Sequence, residues 1–167
     1  MTALKIAGLI AVAMVVQATV VAPVTVWGAR GDVMLLVAIA AGFEGGPERG
    51  AWVGFAAGLT LDLMVSTPAG LSAGTFALTA YLVGTFHNSM MRTSRSVPVV
   101  TATVASAVAV LVYWALASVL DDGVTLGTSL PAVVIVVAAV NGAASPLMLR
   151  AMRWALRDAT SDRLTLR

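Results

Sequence analysis

The sequence predicts an all-α membrane protein, a compact bundle of six transmembrane helices, and three observations carry that prediction. Only 11% of the 167 residues are charged, against roughly 25% in a soluble domain. The apolar residues fall into six runs, most of them close to the roughly 20 helical residues that cross a 30 Å hydrocarbon layer. The basic residues divide very unequally between alternate connections.

The runs are Leu4 to Ala22, Val33 to Phe43, Gly50 to Val65, Leu71 to Phe86, Val97 to Leu120 and Leu130 to Leu149. None alternates apolar and polar residues with period two, which excludes a β-barrel reading in favour of helices. The first run follows one Lys, as a signal peptide would. It is longer than a signal core and no small-x-small cleavage site follows, so it reads as the first membrane helix. The second run, eleven residues, is short for a span, so this helix is expected to be short or irregular: it either extends upstream over Trp27 and Gly28 or into the Glu44–Gly46 turn, or is a half-helix packed inside the bundle, and the division of basic residues predicts that it crosses. The third and fourth runs are joined by a tight turn, in which Pro68 and Gly70 supply the fixed and the permissive φ of a short reversal. Gly70, Ala73, Gly74 and Ala77 are expected to continue close packing into the fourth helix.

With six spans and a cytoplasmic N-terminus, the inner side holds Lys5, Arg49, Arg92, Arg95, Arg150, Arg153, Arg157, Arg163 and Arg167, and the outer side holds Arg30 alone. This asymmetry predicts that both termini are cytoplasmic. Trp27, Trp52 and Trp154 fall at expected interfaces, while Tyr113 and Trp114 are expected between helices. Residues 1–149 form one expected membrane domain. Residues 150–167 form a basic cytoplasmic tail with Arg150, Arg153 and Arg157 on one face and Met148, Leu149, Met152 and Leu156 on the other, which either lies along the inner leaflet or serves only as a positive-inside anchor.

Gly50, Gly54, Gly58 and Asp62 stand four apart on one helical ridge. Glycine there lets another backbone approach closely, a main source of helix association in lipid. The partner helix is either within the chain or outside it. Asp62 sits about 18 Å from the inner end of its helix, and an acid at that depth is costly when it faces lipid. Three roles are open to it: joining the third and fourth helices through Thr60, Ser66, Thr67 or Ser72, capping the helix that restarts near Gly70, or binding a cation, proton or partner group.

Catalytic patterns are missing. There is no cysteine and one histidine, His87, so no plausible zinc site forms. No HExxH, GxSxG or phosphate-binding loop occurs. The basic residues lack aromatic interleaving, which argues against nucleic-acid binding. No cofactor is expected.

Residues 49 to 86, RGAWVGFAAGLTLDLMVSTPAGLSAGTFALTAYLVGTF, resemble the rod shape-determining protein MreD family. The likeness lies in Arg49-Gly50, in Gly54-Phe55 through Gly58-Leu59 to Asp62, in Pro68 with Gly70-Leu71, and in Tyr81 to Gly84. It implies a non-enzymatic scaffold of the bacterial cell-elongation machinery in the cytoplasmic membrane. The implied partner is MreC, and through it the elongation glycosyltransferase and transpeptidase and MreB filaments. The family is also similar in fold to substrate-binding subunits of energy-coupling-factor transporters. A small-molecule transporter or its substrate-binding subunit, using the short second helix and Asp62, is therefore the alternative expectation.

Overall fold

The computed structural model describes residues 2–26, 28–65, 70–89, 96–120 and 130–164, except the side chains of 88–89, 120 and 158–164. Trp27, Pro68 with the rest of residues 66–69, Arg92, Arg95, Asp121, Asp122 and Arg167 lie outside the described residues. The described residues form α1 (Thr2–Val16), continued by a π-helical turn (Gln17–Val21), α2 (Val33–Gly45), α3 (Pro47–Met64), α4 (Leu71–Ser89), α5 (Val97–Leu120) and α6 (Leu130–Leu164). Each expected run is a helix. Among the described residues, three helices, Thr2–Val21, Val97–Val119 and Leu130–Arg157, are long and apolar enough to cross a membrane, and Val33–Gly45 is apolar but shorter.

The short helix is the centre of the bundle. α2 packs against all five other helices, and every residue from Met34 to Phe43 is buried. A helix that is apolar on all sides belongs inside a core rather than at a boundary. Its 13 residues span about 20 Å, well under the hydrocarbon thickness. The helix is regular, and because protein rather than lipid surrounds it, its length has no bilayer to match.

Both ends of α2 are held. At the first turn, Asp32 Oδ1 accepts from the Leu35 amide at 2.9 Å and Gln17 Oε1 accepts from the Val33 amide at 2.8 Å. The Gln17 side chain also donates to the Gly31 carbonyl at 3.3 Å. Gln17 opens the π-helical turn, where the extra residue per turn changes the helical register. At the other end, Phe43 stacks on His87 with centroids 3.7 Å apart, and Glu44 pairs with Arg153 at 3.0 Å. A single residue, Gly46 with φ +83°, separates α2 from α3. Pro47 then opens α3, where its missing amide hydrogen has no intrahelical partner to lose.

α6 continues without a break past Leu149. Met152 and Ala155 are fully buried, and Met152 and Leu156 belong to the same core as α2. The expected leaflet-facing apolar stripe of the tail is therefore a core face of α6 through Leu156. Pro146 lies inside this helix and cannot donate to the Gly142 carbonyl one turn back. The Ser145 hydroxyl donates to that carbonyl instead, at 2.8 Å, so the backbone acceptor freed by the proline is satisfied in an apolar setting. One turn earlier, Asn141 donates to Ser106 Oγ at 3.0 Å and ties α6 to α5. Thr75, Thr79 and Thr103 bond the carbonyls four residues back in their own helices. No buried side-chain nitrogen or oxygen among the described residues lacks a partner.

Replacing Asn141 with Ala removes the α5–α6 hydrogen bond and leaves Ser106 buried without its donor. Stability is expected to fall by about 1–2 kcal/mol, the upper range for interhelical hydrogen bonds in membranes. Equilibrium unfolding in mixed micelles measures it, and Asn141→Ala with Ser106→Ala should lose less than Asn141→Ala alone.

Candidate functional site

The closest helix pair is α3 with α4, and small residues set its spacing. A methyl group on Gly58 would lie 2.5 Å from the Ser72 carbonyl oxygen and 2.6 Å from the Ala73 nitrogen. One on Gly54 would lie 2.6 Å from the Phe76 carbonyl oxygen, and one on Gly50 would lie 3.1 Å from that of Ala80 and 2.5 Å from Gly42 Cα. A methyl on Gly84 of α4 would meet the Pro47 nitrogen at 2.5 Å. The two helices run antiparallel in a fixed register. Each step of four along Gly46, Gly50, Gly54 and Gly58 is answered by a step of four back along Gly84, Ala80, Phe76 and Ser72. The partner of the glycine ridge is thus the chain's own α4, with α2 joining at Gly42. Gly42 and Gly84 were not among the expected packing residues, although the spacing of Ser72, Phe76, Ala80 and Gly84 carried the signal.

Gly74 does not belong to this seam. It is exposed, and a methyl group on it would meet nothing within 4 Å. One residue beyond Ala73 means about 100° around the helix, which turns Gly74 away from α3.

At the end of the seam lies Asp62, 4% exposed. Its carboxylate accepts from the amides of Gly70 at 2.8 Å, Ser72 at 3.1 Å and Ala73 at 3.2 Å. These amides begin α4, and the first amides of a helix have no intrahelical acceptor. An acid from the preceding helix thus caps the next one, and its charge faces the positive end of the α4 dipole. Gly70, at φ +103°, turns its amide toward that carboxylate. Of the expected hydrogen-bonding neighbours, Ser72 contributes through its backbone, and Thr60 donates to the Ala56 carbonyl of its own helix. Ser66 and Thr67 lie outside the described residues.

The basic residues of α6 have separate surroundings. Arg150 and Arg157 are exposed, while Arg153 reaches Glu44 of α2. Lys5 of α1 lies over the Trp154 ring at 4.9 Å. Lys5, Glu44, Arg153 and Trp154 therefore gather at one end of the bundle, and Gln17, Asp32, Asp62 and Gly70 at the other. Trp52 is largely exposed, and Trp114 faces outward rather than between helices. Asp32, just before α2, has its carboxyl pushed up to about 6 by burial, opposed by the amides of Leu35 and Met34. Among the described residues, no three His, Cys, Asp or Glu side chains come together as a metal site.

An apolar helical bundle in which three of the described helices are long and apolar enough to cross lipid defines an integral membrane protein. The sequence model of the rod shape-determining protein MreD family matches residues 2–144, and the chain belongs to that family. Comparison with curated proteins and with solved structures gave no match.

Gly58→Ala should separate α3 from α4 and cost about 2 kcal/mol, in the range for overpacked cores, whereas Gly74→Ala should change stability by less than about 0.5 kcal/mol. Asp62→Ala strands three amides and should cost about 3 kcal/mol or more. Thermal unfolding of the three variants in one detergent checks the ranking. The Asp32 carboxyl has a folded pKa near 6 against 3.8 unfolded, so the native state holds this proton more tightly. The stability it contributes is full below about pH 4 and is lost as pH rises through 6. Melting temperatures of the native chain minus those of Asp32→Asn, followed from pH 4 to 7.5, should fall across that window.

Proposed function

We propose that this chain is a non-enzymatic scaffold subunit of the bacterial cell-elongation machinery, seated in the cytoplasmic membrane with six spans and both termini inside. Membership of the MreD family carries this reading. The basic asymmetry supports the orientation: Lys5, Arg153 and Trp154 share the end that the positive-inside rule assigns to the cytoplasm. The buried polar groups support a structural role, since Asp62, Asn141 and Ser145 each serve helix packing or a helix backbone. In this reading Arg150 and Arg157, exposed on α6, meet anionic headgroups on that side.

MreC is the direct partner in this reading, and the glycosyltransferase, the transpeptidase and MreB are reached through it. Because α4 occupies the glycine seam, a single-span partner helix docks on a lipid-facing side. One such place is the groove between α4 and α5, about 470 Å³, walled by Leu82, Phe86, Val100, Val104 and Val108. Its apolar walls and the hydroxyls of Thr79 and Thr101 suit a helix with small residues on one face.

A photo-cross-linking amino acid at Leu82 or Val104 in growing cells is expected to capture MreC, and one at Val12 on the exposed face of α1 is not. Capture of lipid alone from both groove positions, with MreC co-purifying no better than background, would overturn the scaffold reading.

A further inference from the structure

We propose that the cavity at the Gln17 end of the bundle binds a small anionic amphiphile, with an apolar body held among the helices and a carboxylate or phosphate head at Arg30. The cavity measures about 270 Å³ and draws walls from α2 to α6. Its interior is apolar, formed by Leu35, Leu61, Phe76, Val133 and Val137. Its polar residues are Gln17, Arg30, Asp32, Ser72 and Tyr113. A few polar groups around an apolar interior are the usual make-up of a ligand site.

The choice of an anion follows from what each charge at this end already does. Asp32 accepts from the first amides of α2, and Asp62 accepts from those of α4. Both acids are therefore matched to helix N-termini, whose partial positive charge offsets them. Arg30 lines the same cavity and forms no ion pair or hydrogen bond with the described residues. It is exposed, so it meets water at the mouth while its stem borders the apolar interior. Its planar fork fits a carboxylate or a phosphate through paired hydrogen bonds. A neutral apolar molecule would leave the guanidinium unused, and a cation would meet it as a like charge.

The head group and chain are common to a free amphiphile and to an acidic membrane lipid, and the test separates them. The chain has no cysteine, so Val137→Cys, and independently Val133→Cys, puts a lone thiol in the cavity wall. Each variant is placed in phosphatidylcholine nanodiscs and labelled with a water-soluble maleimide, with and without hexyl phosphate. Labelling is expected to proceed, to be slowed by hexyl phosphate, and to be slowed far less by hexanol. Adding Arg30→Gln should weaken the protection about tenfold in hexyl phosphate concentration, the scale of one charge-assisted contact, while Arg30→Lys keeps most of it. Protection in phosphatidylglycerol nanodiscs without added probe would also support the site and identify lipid as its source. Failure of both thiols to label in protein that unfolds cooperatively would overturn the proposal. So would equal protection by hexanol, or protection indifferent to Arg30→Gln.

Discussion

The α4 helix starts on a carboxylate that belongs to α3. In water, the first amides of a helix are satisfied by solvent. Within a bundle of this composition they need an acceptor that the fold supplies, because an unmet polar group in an apolar medium costs several kcal/mol. Asp62 meets three amides at once. The same contacts explain why an acid is tolerated 4% exposed on an apolar helix: its charge is paired with a helix terminus. The bond also fixes the register of the hairpin. Once Asp62 grips the residues from Gly70 to Ala73, the steps of four along α3 fall opposite Ser72, Phe76, Ala80 and Gly84, and the glycines let the backbones close.

The α3–α4 pair in turn builds the wall against which α2 lies. Gly42 of α2 and Gly50 of α3 come together beside the Ala80 carbonyl, so three backbones converge at one level. The remaining sides of α2 are covered by α1, α5 and α6. Dispersion contacts and a few interhelical polar bonds hold such a bundle together, because lipid gives no hydrophobic drive between helices. The polar bonds are correspondingly few and placed where the backbone needs them, as with Ser145 beside Pro146.

Much of this was legible in the sequence because it rests on spacing. The six runs, the turn at Gly70 and the ridge from Gly50 to Asp62 all depend on local periodicity. The likeness in residues 49 to 86 pointed to the family that the match over residues 2–144 confirms. Less legible was anything decided by rotation around a helix. Gly74 differs from Ala73 by one position yet faces the other way, and Met152 and Leu156 each stand next to an arginine yet enter the core. Gln17 could not be placed either, since the π-helical turn that begins with it has no composition of its own. Trp114 reads as a packing residue by size and faces outward instead, as large aromatic side chains can in lipid.

The single-residue break at Gly46 bears on how the protein is made. A 13-residue helix is too short to rest stably in a bilayer as an independent segment. Only one residue separates it from α3, so α2 and α3 are tied together as one tight hairpin. α2 then acquires its shelter only after α4, α5 and α6 have been synthesised. The innermost helix is thus made before three of the helices that cover it.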